Sequence, residues 1–487
     1  MPWVPASRIR ACNGNEERPG GDYVLYWMTS ARRTNSNFAL QRAAERSRAL
    51  RRPLVVLEAL RAAYPYASDR LHRFVLEGMR DNAAALAQSE GLYYPYVEPS
   101  PGEGKGLLEA LAWDACLVVT DAFPAFFLPR MSESAALKIR VRLEAVDGNG
   151  LLPLESSPAA FPTAYAFRRH LQKTLPDHLA AFPEADPLRG PGLPRPKPLP
   201  EAIASRWPGA DLESLLAPGG LVHLPIDHSV GPVDLAGGES AGEGRLKSFL
   251  AVGLERYAAL RNEPSADATS RLSPYLHFGH ISVHEVFAAV ADAEGWNPGK
   301  ISPRARGAKE GWWGMSPAAE AFLDQLVTWR ELGYVFCRRR PEDYARYESL
   351  PAWAQATLER HATDRREHLY PLDRLAAAAT HDPLWNAAQN QLLREGRIHN
   401  YLRMLWGKKV VEWSPHPREA LAALLELNDR YALDGRDPNS YSGILWCLGR
   451  HDRPWGPERP VFGTVRYMSS ENTARKFDLK PYLRKYG

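Results

Sequence analysis

Short apolar runs alternate with helical patterns over the first third of this 487-residue chain, and this alternation most constrains its fold. Residues 23–28 are predicted to form a buried strand, because the run is short, apolar and bounded by Gly-Asp and Thr-Ser. Apolar residues at helical spacing follow it, and 54–57, 92–97 and 117–119 are further strand-like runs. Strands that alternate with helices predict a parallel, doubly wound α/β sheet.

The sequence changes in character after this region. Residues 186–243 contain runs rich in Pro and Gly, notably at 190–198, which cannot hold a helix and form poor strands. Such a segment is typical of a tether, or of a connection that crosses a domain surface. From about Arg245 to Tyr486 nearly every segment has the helical period. We therefore predict an α/β domain over 20–185, an interdomain linker over 186–243 and an all-helical domain over 244–487.

Composition argues against several classes of protein. The sequence has no run of eighteen apolar residues and no charged-then-apolar leader, so we expect neither a membrane span nor a secretory signal. The four cysteines form no CxxC pair, which favours a reducing compartment, and we expect a cytoplasmic protein. Only 12 of the 61 basic residues are Lys, and the Arg that dominates suits phosphate groups and flat rings. A GC-rich genome explains the same excess.

Two patterns that suggest ligand sites fail on inspection. Residues 102–106 lack both the spacing and the Ser or Thr of a phosphate-binding loop. His277, His280 and His284 have no carboxylate at the spacing of a metal site, so no metal is predicted.

Residues 269–279 contain three hydroxyl groups within five residues, followed by Pro274. Ser273 is predicted to cap a helix whose first residue is Pro274. A helix start with spare hydroxyl and N–H groups can bind an anion. A plain helix cap explains the same pattern, and by itself it is the more common case.

A second cluster combines Trp with Arg. Arg403 and Trp406 lie near one face of a predicted helix, and Trp413 lies two turns beyond Trp406. Such a stripe is more often core than a cofactor site. A buried Arg403 needs a partner, however, and Asp434 and Asp437 are the candidates.

At these residues the chain resembles a known family. The densest matches are 269–282, 385–413 and 428–478, including Leu-Asn-Asp-Arg-Tyr at 427–431, Asp-Gly-Arg-Asp-Pro-Asn at 434–439 and Arg-Pro-Val-Phe-Gly at 459–463. From about Tyr23 to Asp478 the chain is similar to the photolyase/cryptochrome flavoproteins, and among them to the class II cyclobutane pyrimidine dimer photolyases. The resemblance implies an α/β antenna-binding domain and a helical domain that holds FAD.

The resemblance also implies roles for single residues around FAD. Arg403 would lie by the isoalloxazine ring and pair with Asp434, and Asn428 would face flavin N5. Electrons would pass between the flavin and the surface through three tryptophans in the order Trp406, Trp385 and Trp413. The rest of the implied FAD site consists of Tyr257, Thr269, Ser270, Arg271, Leu272, Ser273 and Asn400.

For the substrate the resemblance implies UV-damaged DNA, with the dimer flipped out of the duplex against Trp329 and Trp446. Met404 would lie against the thymine pair, and Gln325 would contact the dimer from one helical turn before Trp329. The loop 450–453 would fill the gap left in the duplex. Further residues implied for DNA contact are Arg436, Arg450, Asp452, Arg453 and Arg466, with Lys476 as an additional phosphate contact.

Three positions depart from the family pattern. Gln325 stands where Glu is usual, and its amide keeps a hydrogen bond but removes the charge and the proton. Asn400 stands where class II chains commonly have Gly. Residues 147–150 lack the His of the usual antenna pattern, which leaves a second chromophore of the 8-hydroxy-deazaflavin or folate type open.

The predicted function is light-driven repair of cyclobutane pyrimidine dimers in DNA, by an electron from photoexcited reduced FAD. The expected protein is a monomeric carbon–carbon lyase. The alternative is a cryptochrome-like photoreceptor that keeps FAD and the tryptophan chain but repairs poorly, and Gln325 is the residue that favours it. A light-independent nucleic-acid binder on the same scaffold is a third hypothesis.

Overall fold

The computed structural model describes residues 3–190 and 192–487, which form two compact units. The first unit comprises the chain up to Ser156, Thr174–Lys247 and Arg271–Asp292. The second comprises Ser157–Lys173, Ser248–Ser270 and the chain from Ala293 onward. The sequence predicts domains that follow one another along the chain. In the structure, each unit is instead built from several segments that alternate with those of the other unit along the sequence.

A six-stranded sheet forms the core of the first unit. Its strand order is β1-β6-β5-β2-β3-β4; β1 runs antiparallel to β6, and the other neighbours are parallel. The predicted doubly wound α/β fold is thereby confirmed. The strands are β1 Ile9–Ala11, β2 Tyr23–Met28, β3 Leu54–Leu60, β4 Leu92–Val97, β5 Ala115–Asp121 and β6 Leu143–Val146.

Burial explains why some strands can be predicted from the sequence and others cannot. Every residue of β2 and β5 is buried, as is typical of parallel strands that are covered on both faces. The sequence analysis missed β1 and β6. β1 has only three residues, none of them buried. β6 contains Glu144, whose carboxylate accepts hydrogen bonds from Arg42 and Arg142 at 2.8 Å, and this buried charge interrupts the apolar pattern.

Helices occupy most of the remaining chain. The first eleven are α1 Phe38–Leu50, α2 Asp69–Leu86, α3 Leu107–Asp114, α4 Leu128–Lys138, α5 Ala164–Thr174, α6 Glu201–Arg206, α7 Leu212–Leu216, α8 Glu239–Ser248, α9 Tyr257–Leu260, α10 Ser273–His277 and α11 Val283–Ala293. Short 3₁₀ turns occur at Ala6–Arg8, Leu154–Ser156, Leu175–His178, Pro298–Lys300 and Tyr347–Ser349.

The second unit is built from helices, as predicted. Two π-helical segments, Phe249–Gly253 and Asp324–Trp329, interrupt its α-helices. The later helices are α12 Pro317–Leu323, α13 Arg330–Arg339, α14 Ala352–Arg360, α15 Leu372–Ala376, α16 Pro383–Glu395, α17 Asn400–Trp413, α18 Pro417–Tyr431, α19 Pro438–Trp446, α20 Ser470–Lys476 and α21 Lys480–Tyr486. Within the described residues, no helix is both long and apolar enough to span a bilayer.

Part of the predicted linker is packed structure. Helices α6 and α7 lie within it, and Ile203 and Leu212 are buried in the first unit. Trp207 donates from Nε1 to the main-chain oxygen of Glu103 at 2.8 Å. Turn-forming Pro and Gly therefore mark the ends of short packed helices here, rather than a free tether throughout.

Residues 271–292 also belong to the first unit. Arg33 donates from Nη1 to the main-chain oxygen of Gly279 at 3.0 Å, and His280 stacks on Phe74 with ring centroids 5.0 Å apart. Gly279 has a φ of +71°, and a Cβ there would lie 1.9 Å from the main-chain oxygen of Ser30. Only glycine permits this close approach of two backbones.

Candidate active site in the second unit

Three buried tryptophans form a continuous row on α16 and α17. Trp406 and Trp413 are seven residues apart on α17, and therefore share one face after two turns. Trp385 on α16 lies between them: its ring stacks on Trp406 at 6.3 Å with 5° between the planes, and meets Trp413 edge-on at 5.6 Å. The rings contact one another in the order in which electron transfer is predicted.

Hydrogen bonds hold these rings in place. Trp385 donates from Nε1 to the main-chain oxygen of Trp406 at 3.0 Å, and Trp406 donates to Gln389 Oε1 at 2.9 Å. Asp382 caps α16 by accepting from the main-chain N–H of Leu384 and Trp385. Trp413 is only 2 % exposed, so the row does not meet solvent at this ring, contrary to the expectation that it ends at the surface.

The predicted ion pair between Arg403 and Asp434 is present. Arg403 Nη2 lies 2.8 Å from Asp434 Oδ1, and both side chains are largely buried. Arg403 lies three residues before Trp406 on α17, so the pair adjoins the start of the tryptophan row. The other candidate partner, Asp437, instead caps α19 and accepts from Tyr334 Oη at 2.9 Å.

Asn428 is buried and held in one orientation. Its Nδ2 donates to Asp429 Oδ1 at 3.0 Å and to Ser440 Oγ at 2.8 Å, so both amide hydrogens are used. The carbonyl oxygen of the amide is then the group that can accept a further hydrogen bond. Asp429 itself accepts from the main-chain N–H of Arg436 and from Tyr441, although burial raises the pKa of its carboxyl.

The segment 269–273 differs from its prediction. Thr269 and Ser270 belong to the second unit, while Arg271, Leu272 and Ser273 belong to the first. Helix α10 begins at Ser273 with Leu272 as its cap residue, and no side chain caps it, so the prediction of Ser273 as N-cap is wrong. The helix begins one residue earlier than expected, and Arg271, two residues before its first residue, has a left-handed φ of +56°.

Tyr257 and Asn400 are in contrasting surroundings. Tyr257 is buried, with its ring 5.8 Å from that of Phe249 and 5.4 Å from that of Phe322. Asn400 is exposed at the first residue of α17.

Gln325 and Trp329 both lie on the second π-helical segment, Asp324–Trp329. The other four residues of Asp324–Trp329 are buried, whereas these two are partly exposed. Asp324 anchors the segment, because Arg168 donates to its Oδ1 from Nε at 2.9 Å. π-Helical bulges often occur at functional sites, since they change which side chains project from a helix.

Trp446, the last residue of α19, lies among cations. The Nζ atom of Lys408 is 4.9 Å from its ring centroid, and the guanidinium of Arg466 is 5.4 Å from it. Arg466 also stacks on Trp455 at 3.9 Å and pairs with Asp452 at 3.0 Å. The methyl group of Met404 lies 4.0 Å from where a Cβ on Gly443 would be, three residues before Trp446.

The comparison with known proteins decides the family. The chain is 35 % identical over 481 residues to the deoxyribodipyrimidine photo-lyase of Methanothermobacter thermautotrophicus. The alignment covers 99 % of this chain and 98 % of that relative. The chain belongs to the deoxyribodipyrimidine photo-lyase family. The photo-lyase of Oryza sativa is 34 % identical over 98 % of this chain and 90 % of its own length. The predicted family and enzyme class are thus confirmed, and class II stays a prediction.

Solved structures of photolyase and cryptochrome relatives share the fold. A class III photolyase from Agrobacterium tumefaciens aligns with a TM-score of 0.65 and 17 % identity over 96 % of this chain and 86 % of that one. A cryptochrome from Synechocystis aligns with a TM-score of 0.65 and 15 % identity over 95 % and 88 %. No family model matches the chain.

Two arginines predicted to grip phosphates are buried in this photo-lyase. Arg436 is 2 % exposed and donates to the main-chain oxygens of Asp429 and Ala432. Arg450 is 6 % exposed, donates to the main-chain oxygen of Ser349 at 3.1 Å, and burial lowers its pKa to about 10. In these positions the guanidiniums bind the backbone, which argues against contacts to DNA phosphates.

The other residues of the 450–453 loop also include both buried and exposed side chains. His451 is buried against Phe336, whereas Arg453 is exposed and its guanidinium stacks on Trp455 at 4.2 Å. The sequence analysis missed Trp455. Its only signal was its place between Arg453 and Arg466, both already implied in DNA contact.

Proposed function

We propose that this photo-lyase repairs cyclobutane pyrimidine dimers in DNA, using light absorbed by a reduced FAD bound in the second unit. The observation that carries the proposal is the row of three buried tryptophans in contact order beside the Arg403–Asp434 pair, in a chain of this family. When bound, FAD supplies the excited electron that splits the cyclobutane ring. The remaining chemistry belongs to side chains of the protein.

The residues around Asn428 fit a flavin. Because Asp429 and Ser440 engage both amide hydrogens, the Asn428 carbonyl oxygen is directed to accept a hydrogen bond from an N–H group of the cofactor. The Arg403 charge is balanced by Asp434 at 2.8 Å, which lets a guanidinium lie beside a ring without a net buried charge. The contribution of 269–273 to phosphate binding stays a prediction.

Two surfaces of the second unit suit a flipped-out dimer. Gln325 and Trp329 are the partly exposed residues of their helical segment, the Trp446 ring lies beside Arg466, and Met404 lies near Gly443 on the same helix as Trp446. Aromatic faces hold extruded bases with little dependence on sequence. We assign phosphate contacts to three accessible cations of the second unit, Arg453, Arg466 and Lys476, and not to Arg436 or Arg450.

A second chromophore in the first unit is a separate proposal. The segment 147–150 is bonded within itself and to its neighbours: Asp147 accepts from the main-chain N–H of Asn149 at 3.0 Å and of Leu154 at 2.7 Å. Extracting the purified protein and identifying its chromophores by absorption and mass decides between a deazaflavin, a folate and FAD alone.

The test of the main proposal is a repair assay. Reduced protein is mixed with an oligonucleotide that contains a thymine dimer, and the absorbance of restored thymine is followed in light and in darkness. We expect recovery only in light. If FAD is bound and tryptophan is photo-oxidised but no dimer is repaired, the cryptochrome-like photoreceptor is the better assignment.

The substitution Gln325→Glu tests the departure from the family pattern. A carboxyl group supplies the charge and proton that the amide lacks, so we expect a higher repair yield per absorbed photon. Gln355→Glu is the control, because Gln355 is a partly buried glutamine that bonds the main-chain oxygen of Leu350 on α14. An unchanged yield in Gln325→Glu would show that this carboxylate is dispensable.

A further inference from the structure

The tryptophan row continues beyond Trp413 to two polar rings. Tyr370 lies 5.4 Å from Trp413 at an angle of 74°, and His381 lies 5.2 Å from it at 62°. Trp413 is 2 % exposed, whereas Tyr370 is partly exposed and His381 is exposed. A path from the buried rings to water therefore leads through Tyr370 and His381.

Tyr370 and His381 form a directed hydrogen bond. The Tyr370 hydroxyl lies 2.7 Å from His381 Nδ1, and its oxygen accepts from the main-chain N–H of His381 at 3.0 Å. In the neutral His381 tautomer that carries its hydrogen on Nε2, Nδ1 is the acceptor and the Tyr370 hydroxyl is the donor of this bond. The main-chain N–H of Tyr370 also donates to the main-chain oxygen of Trp413 at 3.3 Å, which ties the backbones of the two residues together.

This arrangement suits the oxidation of a phenol. A tyrosine that loses an electron becomes a strong acid, so its oxidation is favourable only where a base takes the phenolic proton at once. A neutral imidazole within hydrogen-bond distance is such a base. No comparable acceptor is needed by Trp385 or Trp406, whose N–H groups stay bonded to main-chain and amide oxygens.

We propose that Tyr370 is the terminal electron donor of the tryptophan row and that His381 accepts its proton. This inference rests on the proposed function, because a repair enzyme that uses reduced FAD needs a route by which electrons reach the flavin, and Trp406, Trp385 and Trp413 would be that route when FAD is bound. The oxidised Trp413 ring then takes one electron from Tyr370, the phenolic O–H bond breaks, and its proton passes to His381 Nδ1. The products are neutral Trp413, a neutral tyrosyl radical and a protonated imidazole. A thiol in solution later returns the electron, and His381 returns the proton.

The surroundings of His381 set the pH range of this step. Burial lowers the pKa of His381 below 6.5, and His368 and Lys409 lower it further, while Asp382 and Glu367 oppose them. His368 stacks on His381 with ring centroids 3.7 Å apart. Since the base form is required, proton acceptance is present at neutral pH and is lost as the pH falls through the lowered pKa of His381.

Flash spectroscopy and electron paramagnetic resonance of the FAD-loaded protein test the proposal. In the wild type we expect a tryptophan radical that decays as a tyrosyl radical appears, more slowly in heavy water. Tyr370→Phe should lose the tyrosyl signal. His381→Phe keeps an aromatic ring against Trp413 but should lose the fast tyrosyl phase. Tyr165→Phe, which removes an exposed tyrosine of the same unit, should behave as the wild type.

The outcomes separate this inference from the proposed function. A tyrosyl radical that persists in Tyr370→Phe, or a wild type that forms the tryptophan radical without any tyrosyl radical, overturns the inference alone. Absence of the tryptophan radical in FAD-loaded wild type overturns the proposed electron chain as well. Unchanged circular dichroism and FAD content in each variant show that the protein is folded and loaded.

Discussion

The substitution Lys408→Met tests how much a buried positive charge beside the Trp446 ring costs in stability. Lys408 is fully buried, and its Nζ donates to the main-chain oxygen of Cys447 at 2.7 Å and lies 4.9 Å from the Trp446 ring. Burial lowers the pKa of Lys408 from 10.5 to about 8. Met has a similar length, carries no charge and leaves the surrounding packing nearly intact.

The size of the effect follows from the pKa. A shift of this size corresponds to about 3 kcal/mol of penalty for the charged lysine at pH 7. This penalty is the net cost of the charge, with the contacts that favour the ammonium already included, so Met removes it and loses only a hydrogen bond of about 1 kcal/mol. We therefore expect the free energy of unfolding of K408M at pH 7 to exceed that of the wild type by roughly 2 kcal/mol.

The pH dependence is the sharper test. Between the folded pKa of Lys408 and its unfolded value, the unfolded chain binds more protons, so the stability of the wild type rises with pH. Relative to K408M, the wild type should gain roughly 2 kcal/mol between pH 7 and pH 9.5. Other groups titrate alike in both proteins and cancel in the difference.

Urea denaturation of both proteins at constant ionic strength measures this difference. Lys409→Met is the matched control on the same helix. Burial lowers the pKa of Lys409, but the hydrogen bond to Glu412 outweighs it and leaves the pKa raised. The difference for Lys409→Met should therefore stay flat over this range. A flat difference for K408M as well would refute the reasoning.

Three further predictions address the site. Asp434→Ala should lower the free energy of unfolding by about 3 kcal/mol, because it removes the carboxylate that pairs with the largely buried Arg403. Adding Arg403→Met should recover part of this loss, and additive losses in urea denaturation would contradict a coupled pair. Trp385→Phe should abolish photoreduction of FAD while DNA affinity is unchanged, because this ring joins its two neighbours; unaltered photoreduction would show another route. Arg466→Met should weaken DNA binding and make the slope of log K against log salt less negative by about 0.9; an unchanged slope would remove Arg466 from the phosphate contacts.

Local patterns indicated much of the fold and part of the site. β2 to β5 follow from short apolar runs, and the helices of the second unit follow from the helical period after about Arg245. A partner for Arg403 was predicted because a charge on an apolar face requires one, with Asp434 and Asp437 as candidates, and the family resemblance pointed to Asp434. β1, β6 and the cap of α10 were not predicted correctly, since each depends on neighbours that are distant in sequence or on a local backbone angle.

By itself the sequence determined the class of fold and the family, and the family resemblance named the candidate electron carriers, because periodicity and rare motifs are properties of local order. Only the tertiary structure decided which of these residues lie together and which face solvent. Arg436, Arg450 and Arg453 are alike in the sequence, yet two are buried against backbone oxygens and one is exposed. The sequence analysis did not predict a role for Tyr370 or His381. Their proposed role depends on contacts with Trp413, which lies 43 and 32 positions away in the chain. Burial and side-chain contacts depend on how the helices pack against one another, and the local pattern of residues along the sequence does not specify that packing.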